Sequence, residues 1–169
     1  NLKNKDFKPL KTIRYDQEMG QILQLFLAGN HHLFSAHTNL DAAVGGVNDS
    51  FVAKYNLKPE KGKPIDAGFG KYFENVNLDF TSISKKFPCK QQGSASSRDI
   101  QRIGFCAGSG HGFIKHVIEL KLDTFITGEI TYHDHVQCRM NDIRVLTLGH
   151  KESEQHSCTV ILQKLKQQF

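Results

Sequence analysis

Apolar runs alternate with polar, glycine-bearing stretches along this chain, and that rhythm divides it into strand, loop and helix units. Met19, Ile22, Leu23 and Phe26 recur at helical spacing within residues 16–28, and Gly29-Asn30 supplies residues tolerant of left-handed backbone where that helix closes. The run Leu33-Phe34-Ser35-Ala36 reads as a buried strand that leads into the loop His37-Thr38-Asn39-Leu40-Asp41. A helix is expected from about Val47 to Tyr55, with Asn48 or Asp49 near its start. Pro59 to Pro64 reads as a Lys/Gly/Pro loop and Ile65 to Phe69 as a short strand. Residues 79–87 carry a weakly patterned helix, and the Gln/Ser/Gly-rich stretch from Pro88 to Ser97 is expected to be a mobile surface segment.

Beyond that stretch the pattern becomes regular. Strands at 102–107, 123–127 and 143–148 each lead through a short loop into a helix, and the first of these helices turns Phe113, Ile114, Val117 and Ile118 inward. Strand, loop and helix repeated with short connections imply right-handed crossovers. The expected fold is α/β, with repeated strand–loop–helix units around a largely parallel or mixed sheet, in one domain over residues 1–169. No internal repeat is visible.

The last helix carries Cys158, Ile161, Leu162, Leu165 and Phe169 as an apolar stripe, which is expected to be buried. Stepping back by four residues reaches Glu154 and then His150. A carboxylate and an imidazole leading into a buried face cost several kcal/mol unless compensated. A metal ion would compensate them, and His–Glu at i, i+4 is a chelating spacing on a helix. Helix capping or pairing with a lysine is the plainer role for Glu154. His37 and Asp41 flank a turn after an earlier strand. Asp41 is open to three roles, metal ligand, general base or N-terminal cap of the next helix, and His37 to two, ligand or support for one. Glu129, His133, Asp134 and His135 form a further polar cluster after a strand. Glu129 and His133 are the candidates there for proton transfer, whereas Asp134 and His135 read as helix-surface residues. Open α/β sheets place ligands outside the carboxyl ends of their strands, so these separated exits suggest one composite site. His31-His32 precedes its strand and would lie roughly 15 Å from that site. Gly108-Ser109-Gly110-His111-Gly112 could hold an anion or be a tight turn; it lacks the ending of a P-loop.

Composition narrows the class. The chain is 38% hydrophobic and 23% charged, as soluble globular proteins are. No apolar run approaches the ~20 residues that span a bilayer, and no secretory signal is visible. The net charge of +5 gathers partly in Lys54, Lys58, Lys61 and Lys63 and in Lys85, Lys86 and Lys90, which read as solvated faces. No nucleic-acid-binding signature accompanies them. Cys89, Cys106, Cys138 and Cys158 form no C-x-x-C pair and read as reduced thiols of a cytoplasmic protein, with Cys106 and Cys158 in the core.

Taken in order, AHTNLDAAVGGVND, CAGSG, ITGEITYHD and GHKESE resemble the Nif-three-like family, whose members are also labelled GTP cyclohydrolase type-two-like or dinuclear metal centre hexameric proteins. The resemblance runs from about Lys8 to Leu165. It implies an α/β fold, two divalent metal ions (zinc, iron or manganese) in a cleft, and a toroidal homo-hexamer. It also implies Asp41, His150 and Glu154 as metal ligands, Glu154 as the bridge, and His37, Glu129 and His133 as polar neighbours. One departure stands out: the adjacent His-His pair of the family, upstream of HTNLD, falls either on Leu2 and Lys3 or before Asn1. The inserted domain of longer members is absent between HTNLD and CAGSG. The implied activity is metal-dependent hydrolysis of a small molecule such as a nucleotide or phosphoester. A non-enzymatic metal-binding or interaction scaffold is the alternative.

Overall fold

The computed structural model describes residues 12–85, the backbone of 91–92, and 99–168. The fold divides into two compact units, Asn1–Ala36 and His37–Phe169, within the span read above as one domain. Leu2, Lys3, Cys89, Phe169 and most of the Pro88–Ser97 segment lie outside the described residues.

In the first unit, α1 (Glu18–Ala28) forms where helical spacing places it. Its end carries the expected backbone: Gly29 N–H donates to Leu25 O at 3.0 Å, and Asn30 takes φ of +49°. The strand expected at Leu33–Ala36 does not form. Leu33 and Phe34 are 76% and 81% exposed. A strand exists only as a ladder, and none of the described strands pairs with this segment.

The second unit is built on a six-stranded mixed sheet. Its strands are β1 (Lys63–Ile65), β2 (Gly70–Leu78), β3 (Gln91–Gln92), β4 (Ile100–Ser109), β5 (Thr124–Glu129) and β6 (Arg144–Thr147), in the order β1-β2-β4-β5-β6-β3. β4, β5 and β6 are parallel neighbours, and the other pairings are antiparallel. Successive residues of the parallel strands serve opposite faces. Phe105, Ile126 and Leu146 join Phe51 and Val52 of α3 (Val47–Ala53) in one core. Cys106, Phe125 and Val145 join Ile114 and Val117 of α5 (Ile114–Glu119) and Cys138 of α6 (Tyr132–Met140) in the other. Both faces are covered, which is why these strands read as continuous apolar runs rather than alternating ones. Phe113 and Ile118 pack against the second core as expected. No helix among the described residues is long and apolar enough to cross a membrane.

Several expectations are corrected. The strand expected at Ile65–Phe69 is β1 followed by a 3-10 turn at Asp66–Gly68, where Asp66, Ala67 and Gly68 all take positive φ. The nine-residue β2 was not read from the sequence at all. Its asparagines at 75 and 77 adopt φ of +55° and +48° and interrupt the ladder between Glu74 and Leu78, which breaks the period-two pattern. Gln91–Gln92 pairs with β6 inside the segment expected to be mobile. The short helix α4 (Phe80–Lys85) is capped by Asp79, which accepts from Thr81 N and Ser82 N at 3.1 and 2.9 Å.

The final helix is split at Gln155 into α7 (His150–Glu154) and α8 (His156–Gln168). The buried face lies one residue away from the apolar stripe read from the sequence. Ser153 and Ser157 are the buried residues, whereas Cys158 is exposed and Leu162 and Leu165 are 52% and 47% exposed. Cys158 is therefore not a core residue.

Asp134 is likewise not a surface residue: it is 3% exposed. It completes the capping box of α6, accepting from Thr131 N at 2.8 Å while its own N–H donates to Thr131 Oγ1 at 3.2 Å. Burial pushes its carboxyl up, but hydrogen bonds from Thr131 and His111 outweigh that and hold it below the ordinary value. A depressed native pKa contributes stability above the unfolded value of about 3.9, lost as pH falls through the native one. Asp134→Asn is expected to cost roughly 1–2 kcal/mol at neutral pH, with the difference from wild type closing in acid. Urea denaturation at a series of pH values measures it; a difference independent of pH would contradict the assignment.

Candidate functional site

The carboxyl ends of the three parallel strands meet at one place. β4 ends at Ser109, which lies opposite Glu129, the last residue of β5, and Gly110 N–H donates to Glu129 O at 2.9 Å. β6 runs out through Leu148 and Gly149 into His150, the first residue of α7. Gly149 makes this turn possible with φ of +112°, and its N–H donates to Gly128 O at 2.8 Å.

The imidazole of His150 lies between two carboxylates. Nδ1 is 2.9 Å from Glu129 Oε1, and Nε2 is 3.1 Å from Glu154 Oε1, one helical turn further on. The hydrogen bond to Glu129 raises the pKa of His150; burial opposes it, and the charges of Glu154 and Glu129 add to it. Beneath them lies Gly108, with φ of +68°. A Cβ there would come within 2.4 Å of Glu154 Oε1 and 3.2 Å of His150 Nε2. Only glycine leaves that space open.

Asp41 reaches the same region from α2 (Thr38–Asp41). Partial burial raises its pKa, and the fields of His37 and His150 oppose the rise. The buried thiol of Cys106 reports the same convergence from below. It is pushed up to about 12, first by burial and then by the negative charges of Asp41 and Glu154. α3 begins at Gly46 without a side-chain cap, so Asp41 does not cap it. His37 is exposed at the start of α2.

His133 is placed differently. It is exposed on α6 with Nε2 3.1 Å from Gln137 Nε2, and its contact is within its own helix rather than with the His150 cluster. His31 and His32 are exposed in the first unit.

Two buried polar side chains that hold the cluster together were not singled out by sequence. Asn48 donates through Nδ2 to Asp41 O at 3.1 Å and Phe69 O at 3.0 Å, and its Oδ1 accepts from Ala107 N at 2.9 Å. Ser153 accepts from Gly108 N at 2.8 Å and donates to His150 O at 2.7 Å. The available signal was small polar residues on otherwise inward positions beside the candidate ligands.

The donor types fit a divalent cation: carboxylate oxygens and an imidazole whose other nitrogen is fixed by Glu129, above a space kept clear by Gly108. The number falls short of a full shell. Among the described residues no group of three or more His, Cys, Asp or Glu side chains is placed to hold a metal ion. Asp41, His150 and Glu154 therefore do not by themselves make up a metal site among the described residues.

Thiol chemistry offers a direct check on this environment. Cys106 at about 12 and Cys138, which burial raises to about 11, should stay unmodified in the native protein, whereas exposed Cys158 should react. Maleimide labelling read by peptide mass spectrometry measures it; labelling of Cys106 as fast as Cys158 would contradict the burial described.

Comparison with known proteins agrees with this architecture. The profile of the Duf34/NIF3 (NGG1p interacting factor 3) family matches residues 6–169. NIF3-like protein 1 of Drosophila melanogaster is 29% identical over 180 residues, covering 96% of this chain and 61% of that protein. A GTP cyclohydrolase 1 type 2 homolog of Clostridium perfringens is 29% identical over 179 residues, covering 96% of this chain and 67% of its own length. The chain thus spans about two thirds or less of these curated relatives. Among solved structures, reduced HcgD from Methanocaldococcus jannaschii superposes with a TM-score of 0.76 at 24% identity, covering 96% of this chain and 66% of that one. A Bacillus cereus protein related to NIF3 gives 0.77 at 14% identity, covering 95% of this chain and 74% of that one. With the profile spanning nearly its whole length, the chain belongs to the Duf34/NIF3 family.

Proposed function

We propose that this chain carries part of the catalytic site of a metal-dependent hydrolase acting on a small oxygen-rich molecule, such as a nucleotide or another phosphoester. The observation that carries the reading is the Glu129–His150–Glu154 chain above Gly108, with Asp41 in electrostatic reach. Asp41, His150 and Glu154 would hold divalent metal, with His37 beside them. A dinuclear centre of zinc, iron or manganese would supply a Lewis acid for substrate oxygens.

The protein's own contribution is orientation. Glu129 accepts from Nδ1 of His150 and so directs Nε2 toward Glu154. The raised pKa of His150 favours its protonated form between the two carboxylates, so that protons would compete with a cation for the imidazole. Ser153 and Asn48 hold the backbones of His150 and Asp41, so that ligand positions do not depend on mobile side chains alone. On its far side the cluster adjoins a cavity of about 520 Å³ lined by Glu129, Ile130, His150 and Lys151, large enough for a small substrate. The names of relatives make GTP one compound to assay. His133 enters the reading only as a proton-transfer candidate.

Elemental analysis of the full-length protein, paired with a screen of GTP, other nucleotides and phosphoesters with and without added metal, tests the proposal. Metal-dependent turnover supports it. Bound metal without turnover of any compound would favour the metal-binding scaffold, and absence of metal would remove both and leave the interaction scaffold. Homo-oligomerisation, most simply a hexamer, belongs to the same proposal. Tyr132, Val136 and Met140, exposed at four-residue spacing on α6, supply an apolar stripe suited to a subunit contact. Sedimentation of the full-length protein is expected to show an oligomer, and a monomer would contradict it.

A further inference from the structure

A second histidine–carboxylate pair lies at the same strand ends. His111 Nδ1 is 2.8 Å from Asp134 Oδ2, with the imidazole side chain 65% exposed and the carboxylate 4% exposed behind it. The same Oδ2 accepts from Thr131 N at 2.8 Å and Thr131 Oγ1 at 2.7 Å. The cap of α6 is complete through Thr131, so His111 is not needed for it. What His111 gains from Asp134 is a fixed ring: Nδ1 is committed to a buried acceptor and Nε2 is left as the remaining polar atom.

Position gives that atom a use. His111 follows Ser109 by two residues, and Ser109 is paired with Glu129, which holds His150. Asp134 follows Glu129 by five residues, across the turn from β5 into α6. The loop between them is tightly determined, because Gly110 N–H is bonded to Glu129 O and a Cβ on Gly110 would come within 2.5 Å of Thr127 Oγ1. Two carboxylate-held imidazoles, Glu129–His150 and Asp134–His111, therefore stand on adjacent exits of one parallel sheet, where such sheets place their ligands.

We propose that His111, oriented by Asp134, is a binding contact for an oxyanion group of the ligand, a phosphate or phosphate ester, which takes a charge-assisted hydrogen bond from Nε2–H. With Nδ1 committed to Asp134, the ring in its protonated form has one outward donor, Nε2–H, which suits one anionic oxygen. A cation is the poorer match, since one nitrogen cannot hold it and no group of three or more donor residues surrounds it among the described residues. Asp134 is a positioning residue in this arrangement. The inference rests on reading these strand exits as the ligand crevice, but it does not require metal.

The experiment is nitrogen-15 NMR of the imidazole groups in the full chain, titrated with inorganic phosphate and then pyrophosphate. His31 and His32, both exposed, serve as internal controls. The His111 signals should move along a saturating curve that the controls do not follow. His111→Gln should weaken phosphate binding by roughly tenfold or more, the worth of one charge-assisted hydrogen bond. Asp134→Asn should leave the ring in place but lose its preferred orientation and weaken binding as well. Unmoved His111 signals, or equal affinity in His111→Gln, would overturn the proposal. Metal content measured on the same samples separates the two readings. Metal uptake without a His111 response removes the oxyanion contact alone, and a His111 response without metal uptake removes the hydrolase reading alone.

Discussion

Glu154→Gln is expected to empty the His150 site of divalent metal while the fold survives. Glu154 is half-exposed and contacts the rest of the site through its carboxylate, 3.1 Å from His150 Nε2, so the neutral amide keeps the shape of the side chain. It removes the anion that would face the cation and that, without metal, favours the proton on His150. Loss of a charged ligand should lower metal affinity by two orders of magnitude or more, on the order of 3 kcal/mol or above. Were Glu154 only a surface partner of His150, the change would cost about 1 kcal/mol or less and leave metal content as it was. Elemental analysis of both proteins after identical loading decides between them, with thermal unfolding as the check on fold. Equal metal stoichiometry would take Glu154 out of the site and most of the proposed chemistry with it.

Asn48→Leu is expected to be the most destabilising single change around the site. Asn48 is 2% exposed and satisfies three backbone groups from three segments: Asp41 O, Phe69 O and Ala107 N. Leucine approximates its volume but leaves an N–H and two carbonyls without that partner, each costing about 1–3 kcal/mol when buried. A loss of roughly 3 kcal/mol or more follows, readable as a shift in the urea midpoint. Because Asn48 holds the carbonyl of Asp41, metal affinity should fall even in the fraction that stays folded. Asn48→Asp tests the distinction, since it keeps the acceptor for Ala107 N–H and removes the donors to Asp41 and Phe69. A leucine variant as stable as wild type would show that these contacts are dispensable.

The local pattern was sufficient for the parts of this protein in which local and tertiary demands agree. Strands β4, β5 and β6 are short apolar runs because both faces of the sheet are covered, and such runs are visible without knowing what covers them. The ends of those strands carry Glu129 and His150, and the i, i+4 relation of His150 to Glu154 is a property of helix geometry alone, so this part of the cluster was legible in advance. The resemblance in four ordered motifs was legible too, and the family match bears it out.

Tertiary structure decided the rest. The antiparallel β2 owes its form to pairing with β1 and β4, and its left-handed asparagines erase the alternation by which a strand is recognised. Leu33 and Phe34 have the composition of a strand but no ladder partner among the described strands, and composition alone cannot make one. The last helices bury Ser153 and Ser157, one residue away from the apolar stripe, and leave Cys158, Leu162 and Leu165 exposed. Asp134 and His133 are neighbours in sequence, yet a 100° step around α6 buries the first against Thr131 and His111 and leaves the second outside. Residue types and their spacing determined which groups could do chemistry here. Which of them meet depends on hydrogen bonds between segments up to 59 residues apart, such as Asn48 to Ala107, and no local pattern encodes those.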